Sequence, residues 1–478
     1  MFSSGLSDDV LNRMRARFPL PLASLPVRYL GLPLCSSKLS VKDCDPLLSK
    51  NRLKINSWMH RHLSIAGRLR LISTVISGIV GFWTAAFLLP KQVIKRINSL
   101  SSSFLWHGCL DKPSGAKVSW ADLSYPKKEG GLGLRSWATW NETCVLKLIW
   151  MLFFRAGSIW VAWVRRKYLS SVCFWALNEN SSSVSWMFRK LLKLRHKAIS
   201  FLRIKLGNGQ DTFFWWDPWT PFGSLIHYLG PSAPQRQGIP LSSLVADCIN
   251  SNGWLLPSAR SEAFLEVLSF ITSLNPTTAT DYPLWIIDGQ EFKSFRSKLM
   301  WNYLRLSRPI VPWFPLVWHK AAVPKQAMAA WLFIQNRNPT LDRLRNWDMD
   351  VEPLCLLCGS MNESRNHLFF ECDFSSAIWT DLIEKMGIVN PPLDWDQILI
   401  WLVTVSSNVI TTLALLQGWQ TCLYELWNER NRRYHNGITL PQSVILRNIC
   451  LGIKNKSAAL KNLSSKHGEA LDLFWSTR

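Results

Sequence analysis

Acidic side chains are scarce in this chain. Its 478 residues carry 32 Asp and Glu against 55 Lys and Arg, a formal net charge of +23. A surface so short of carboxylates is not built for cationic partners. It favours a polyanion, either nucleic acid or an anionic membrane face. A secretory leader is also missing from the opening residues MFSSGLSDDV, which have neither a basic segment nor an apolar core. The 11 cysteines are an odd number. Cys35, Cys44, Cys109, Cys144, Cys173, Cys248, Cys422 and Cys450 stand singly, so no disulfide framework is visible and a reducing compartment is expected, nuclear or cytoplasmic. No internal repeat of fixed period appears. With 48% apolar and only 18% charged residues, the composition excludes a disordered chain, and the length suits two to four domains with real cores.

Against that scatter one cluster stands out. Cys355, Cys358, His367 and Cys372 follow the spacing C-x2-C-x8-H-x4-C. Two cysteines two residues apart form a knuckle that presents both thiolates to one ion, and a His and a third Cys complete a tetrahedron of the ligand types zinc prefers. Gly359, directly after the C-x-x-C, suits the tight turn such a knuckle needs. The βαβ context of a thioredoxin-like redox pair is absent. Four protein ligands leave no open position for a water, so the expected zinc is structural.

The chain reads as mainly α with few short strands. A short helix, a Pro-punctuated turn and a strand at Val27–Leu30 come first. Apolar periodicity predicts helices over Ser64–Leu89 and Lys91–Trp106, then a Gly/Pro/Lys-rich loop over 108–133. A helical block follows over 138–206. The stretch 207–289, containing PSAPQRQGIP, reads as a linker; helix returns over 290–350, and a helical pair is expected over 375–465. The corresponding division is 1–110, 111–206, 207–289, 290–385 and 386–478. Leu71–Leu89 and Gln397–Tyr424 are uncharged and long enough to cross a membrane. The first, however, carries a one-sided stripe of Arg70, Ser73, Ser77, Gly81 and Thr84, and the second is broken by Ser406-Ser407-Asn408, which suits core helices.

Other motifs have structural explanations. Most of the 27 tryptophans are expected to anchor cores, a minority being available to stack on bases. Gly130-Gly131-Leu132-Gly133 after Lys127-Lys128 lacks the ending of a phosphate loop and reads as a tight turn. Asp211 and Asp217, flanking Trp215-Trp216, read as caps, and Thr340 as the N-cap of a helix. Basic residues are better placed to act. Arg189, Lys190, Lys193, Arg195, Lys197, Arg203 and Lys205 lie in one acid-free segment, Arg430, Arg432 and Arg433 open a second, and Lys50, Arg52, Lys54, Arg61, Arg68 and Arg70 form a third. A solvated surface would account for such charge; three segments together point to phosphate contacts.

Six strings then fall in a recognisable order: PVRYLGLPL (26–34), WMHRHLSIAGRLRLISTVI (58–76), KVSWADLSYPKKEGGLGLRS (117–136), GNGQDTFFWWDPW (207–219), VWHKAAVPKQAMAAWLFIQNRNPTLDRLRNW (317–347) and CLLCGSMNESRNHLFFECDFSSAIW (355–379). Together they resemble the C-terminal part of plant LINE-type (non-LTR) retrotransposon reverse transcriptases, over about residues 20–435. The last two resemble that family's zinc-binding domain. The resemblance implies a multi-helix thumb and connection region followed by a small helical zinc-binding domain. It also implies a palm with adjacent aspartates after an aromatic, needed to hold two metal ions. Here the adjacent pair is Asp8-Asp9, preceded by Leu6-Ser7 and without a hairpin signal. The expectation is therefore a truncated, non-catalytic protein without palm, RNase H or endonuclease chemistry. It would bind RNA or DNA through the phosphate backbone, with Arg189, Lys190, Lys193, Arg195, Lys197, Arg430, Arg432 and Arg433 as contacts. An intact element polymerase is a second expected partner; a membrane and a small-molecule substrate are not expected. The alternatives are an inert retroelement remnant and, from another class, a membrane-associated helical protein.

Overall fold

Helix boundaries in this chain follow its capping residues. In the computed structural model, which describes residues 7–18, 27–35, 37–59, 62–110, 115–170, 172–181, 183–250 and 253–477, helices dominate and strands are few and short. Asn408 Oδ1 accepts from the N–H groups of Ile410 and Thr411, starting the helix Val409–Asn436, and Gly437 ends it at φ 67°. Such a cap is worth about 1 kcal/mol. The break at Ser406–Asn408 thus divides the long uncharged run into Trp395–Thr404 and Val409–Asn436. Ser64 likewise caps Ile65–Leu71, which continues through a π turn at Ile72–Ile76 into Ser77–Ala86. That continuous helix is long and apolar enough to cross a membrane, and it buries Ile72, Ile76, Val80 and Trp83.

The chain divides into two compact units, each assembled from discontinuous segments. The first comprises Met1–Asn51, Gly78–Ile97 and Ser136–Leu306. Its helices Trp137–Phe153, Ile159–Tyr168 and Trp186–Ala198 pack with an antiparallel sheet of Leu202–Lys205, Tyr282–Ile287 and Gln290–Phe292, in that spatial order. Leu202 pairs with Trp285 across the sheet, and both are fully buried. The expected strand near Val27 forms a hairpin, Val27–Tyr29 with Leu32–Leu34. Asp8 and Asp9 are exposed in the first turn of the helix Asp8–Arg17, where carboxylates favour the positive helix end.

The stretch 207–289 is not a linker. It buries a core of its own, with Phe214, Trp215, Trp219, Leu225, Val245 and the helix Glu262–Ser273 contributing Phe264, Val267 and Ile271. Its glycines and serines shape turns between these anchors. A Cβ on Gly207 would lie 2.2 Å from the Ala279 carbonyl oxygen, so only glycine fits there. Asp281 ties the same turn down, accepting from the N–H groups of Gly207, Gly209 and Asp211 and from Thr212 Oγ1. The linker assignment falls with this core, and the packing units interleave along the chain.

The second unit comprises Arg52–Ser77, Asn98–Arg135 and Ser307–Arg478. The expected C-terminal helical pair resolves into Asp373–Glu384, Trp395–Thr404, Val409–Asn436, Gln442–Asn462 and Gly468–Ser476, sharing one core with Pro324–Ile334. Trp379, Trp395, Trp419 and Trp475 are buried in it, as anchors. Gly130 turns at φ 89°, and its carbonyl accepts from Trp331 Nε1 at 2.9 Å. A Cβ on the next residue, Gly131, would strike the Tyr125 carbonyl, so the glycine run is a tight turn.

Candidate metal centre

Residues 353–363 form a narrow loop that folds back on itself. Cys355 N–H donates to the Met361 carbonyl at 2.7 Å, Glu363 N–H to the Pro353 carbonyl at 2.8 Å, and Leu354 pairs with Asn362. Inside it the Cys-x-x-Cys turn closes with Gly359 N–H donating to the Cys355 carbonyl at 2.8 Å, Gly359 itself lying at φ 71°. The other two ligands flank a π turn, His367–Glu371, whose carbonyl at His367 accepts from Cys372 N–H at 2.9 Å. Cys372 is the N-cap of the helix Asp373–Glu384, so its sulfur sits at a positive helix end.

The four ligand atoms all lie within 4.8 Å of one another. Cys355 Sγ is 4.0 Å from Cys372 Sγ, and Cys358 Sγ is 3.3 Å from His367 Nε2. A zinc tetrahedron with Zn–S near 2.3 Å has sulfur–sulfur edges of about 3.8 Å. The cluster therefore fits structural Zn2+ with little adjustment. Three of the four residues are buried and Cys358 is half-buried, as a closed site requires.

Electrostatics agree with the donor set. The hydrogen bond from the Cys355 thiol pulls Cys372 well below its ordinary value, helped by the backbone N–H groups of Ser375 and Phe374; the same bond pushes Cys355 up. Burial pushes Cys358 up, but hydrogen bonds from Ser360, Met361 and His367 outweigh it and the thiol lies below its ordinary value. Thiolate character in the cluster is what a cation would capture.

Two residues that the sequence singled out for phosphate contact, Arg430 and Arg433, bond to the loop that carries this centre. Arg430 is buried, its guanidinium bonded to Glu363 with Nη2 to Oε1 at 3.0 Å. Arg432 and Arg433 both pair with the buried Glu429, and Arg433 Nη1 reaches the carbonyls of Leu356 and Leu357 inside the knuckle. Their location on the first acid-free turn after Glu429 hid this, because the partners lie N-terminal to the segment in sequence. Glu429 carries a local signal, since Arg432 and Arg433 stand three and four residues on along the same helix, whereas Glu363, in a loop between Asn362 and Ser364, carries none. Thr340 is the N-cap residue, but Glu363 Oε1, not its hydroxyl, accepts from Leu341 N–H at 2.9 Å.

The other predicted contacts share the helix Trp186–Ala198, which buries Phe188, Leu191 and Leu192 and turns Lys190, Lys193 and Lys197 to the opposite face. Lys197 is paired with Glu142 at 2.8 Å, Arg195 donates to the Leu177 carbonyl, and Arg189 is half-buried. Lys193 is exposed, with no acidic partner among the described residues. Partial burial and then the charges of Lys193 and Lys38 hold the Lys190 ammonium below its ordinary value. Asp217 accepts from Trp175 Nε1 and Phe213 N–H at 2.8 Å each, and Asp211 pairs with Arg155. Of the third basic group, Arg61 lies outside the described residues, and Arg68 donates to the Leu105 carbonyl at 3.2 Å.

Comparison with known proteins agrees with this geometry. Residues 295–379 match the family described as zinc-binding in reverse transcriptase. A "Putative ribonuclease H protein" of Arabidopsis thaliana is 25% identical over 367 residues, 74% of this chain and 58% of that protein. An "Uncharacterized mitochondrial protein" of the same plant is 24% identical over 136 residues, 28% of this chain and 88% of that protein. The chain thus spans little more than half the length of the first of these relatives. The match at 295–379 and these plant relatives support a retrotransposon-derived reverse-transcriptase region.

Proposed function

We propose that these 478 residues are a non-catalytic, zinc-stapled nucleic-acid-binding region of a non-LTR reverse transcriptase. The carrying observation is the cationic face of Lys190 and Lys193 with Lys38 near by, where partial burial and then like charges lower one lysine and Lys193 has no acidic partner among the described residues. Crowded ammonium groups repel one another, so a polyanion that neutralises them binds with a gain that an isolated lysine would not supply. The sheet strand Leu202–Lys205 adds Arg203 and Lys205 from the same acid-free segment. The zinc cluster, with four protein ligands and no open position, supports a structural role. RNA and DNA are both expected ligands through their phosphates, in the nucleus or cytoplasm, and an element polymerase is the expected protein partner.

Fluorescence anisotropy with a labelled duplex and a single strand, each in two unrelated sequences, tests the reading. Binding should be indifferent to sequence and weaken linearly in log affinity against log salt. Undetectable binding at low salt would remove it.

A further inference from the structure

The family match ends at residue 379, yet the side chain that grips the metal knuckle comes from residue 433. Arg433 Nη1 donates to the Leu356 carbonyl at 3.0 Å and to the Leu357 carbonyl at 2.8 Å. These two carbonyls belong to the peptides between the ligands Cys355 and Cys358. In a trans peptide the C=O and N–H groups point in opposite directions. On the far side of the first peptide, Leu357 N–H donates to Cys355 Sγ at 3.4 Å, and the N–H of the second, Cys358, also favours charge on that sulfur.

Arg433 reaches the other half of the ligand set as well. Its guanidinium lies 4.5 Å over the ring of Phe374, in the first turn of the helix that Cys372 caps. Its Nε is held by Glu429 Oε1 at 2.8 Å, and that carboxylate accepts in turn from Leu440 N–H at 2.9 Å. The fork is therefore fixed before it meets the knuckle.

We propose that Arg433 is a positioning residue of the metal site: by holding the Leu356 and Leu357 carbonyls it aims the N–H groups of Leu357 and Cys358 at the Cys355 sulfur. A cation on the carbonyl side polarises each peptide and strengthens the N–H···S bond opposite. Zinc retention is thereby coupled to the helix Val409–Asn436, and the physical metal domain extends to that helix. Lysine cannot replace the arrangement, since one ammonium cannot face the Glu429 carboxylate and both carbonyls with a planar fork. The inference does not depend on nucleic-acid binding.

The test uses the full chain with R433Q, R433K and R432Q. Arg432 is the control, because it shares Glu429 but bonds to neither knuckle carbonyl. Zinc transfer to a chromophoric chelator is timed, and the visible spectrum of the Co2+-substituted protein reports ligand geometry. R433Q should lose zinc roughly ten- to a hundredfold faster, as outer residues of metal sites do when removed, and should shift the Co2+ bands. R433K should fall between R433Q and wild type, and R432Q should stay within about twofold of wild type. Unchanged release with an unchanged Co2+ spectrum in R433Q would overturn the proposal, as would an R432Q effect equal to that of R433Q. Should R433Q fail to fold, R433K decides: release at the wild-type rate overturns the proposal and faster release with shifted bands supports it.

Discussion

The Arg430 guanidinium and the Glu363 carboxylate meet in the core of the second unit, Nη2 to Oε1 at 3.0 Å, with side-chain exposures of 2% and 0%. Glu363 also accepts from Leu341 N–H, so one carboxylate joins the helix Val409–Asn436 to the start of the helix Leu341–Arg345. Removing one partner leaves a buried charge unanswered. Glu363→Gln should therefore lower stability by roughly 3–5 kcal/mol in denaturant titration, whereas the pair R430M/E363M should cost less than E363Q alone. A double variant less stable than the single one would show that the ion pair itself is a large net source of stability.

The metal prediction follows from the ligand geometry. Structural zinc contributes about 10–16 kcal/mol of apparent binding free energy in small domains, which acts as local folding energy. Cys358→Ser should reduce zinc content below that of wild type and expose the loop around 350–380 to protease. Chelator treatment of the wild type should produce the same cleavage pattern. Equal metal content in the two proteins would exclude Cys358 as a ligand.

How much of this was legible in sequence depends on the range of the interaction. The ligand cluster spans only Cys355 to Cys372, and a short-range spacing rule sufficed to find it. Helices with strong periodicity, such as Lys91–His107, were also plain. The region 207–289 reads as a linker because its glycines and prolines are local signals, while its core joins Phe214 and Trp215 to Phe264 some fifty residues on. The roles of Arg430 and Arg433 were hidden for the same reason. A run of basic residues looks like a surface until the buried Glu363 is placed opposite Arg430 and the Leu356 and Leu357 carbonyls opposite Arg433.

Asp217 makes a prediction about pH. Burial pushes its carboxyl up to about 6, against bonds from Phe213 N–H and Trp175 Nε1 that favour the charged form. Its folded value therefore lies above the unfolded value near 3.8. Between those values the folded state binds more protons, so stability from this group is fully present below about 4 and declines as pH rises through 6. Asp217→Asn should flatten the stability–pH slope across that interval in urea titrations. An unchanged slope would place the titration elsewhere.

Catalysis is the next point of test, since a relative bears the name ribonuclease H. Phosphoryl transfer between two metal ions needs carboxylates free to ligate them. A cavity of about 750 Å³ in the first unit is lined by Asp211, Asp217 and Asp281, but Arg155 holds the first, Trp175 and Phe213 the second, and the turn at 207–212 the third. Asp8 and Asp9 lie on an exposed helix. The purified chain is expected to extend no primer and to cut no RNA–DNA hybrid in Mg2+ or Mn2+. Product above a metal-only control would require a carboxylate cluster that forms only with substrate.

The two sets of basic residues can be separated by their effect on binding. Lys190 and Lys193 face outward with Lys38 near by, whereas Arg430 is buried and Arg432 is held by Glu429. Each duplex phosphate neutralised contributes about 0.9 to the slope of log affinity against log salt. Reversing Lys38, Lys190 and Lys193 to Glu should weaken binding to every sequence alike and flatten that slope by roughly two to three. R432Q should leave both affinity and slope close to wild type, because its guanidinium is occupied before any phosphate arrives. If R432Q matched the lysine reversals, phosphate would have to compete successfully with Glu429, and the binding face would have to be sought on the second unit.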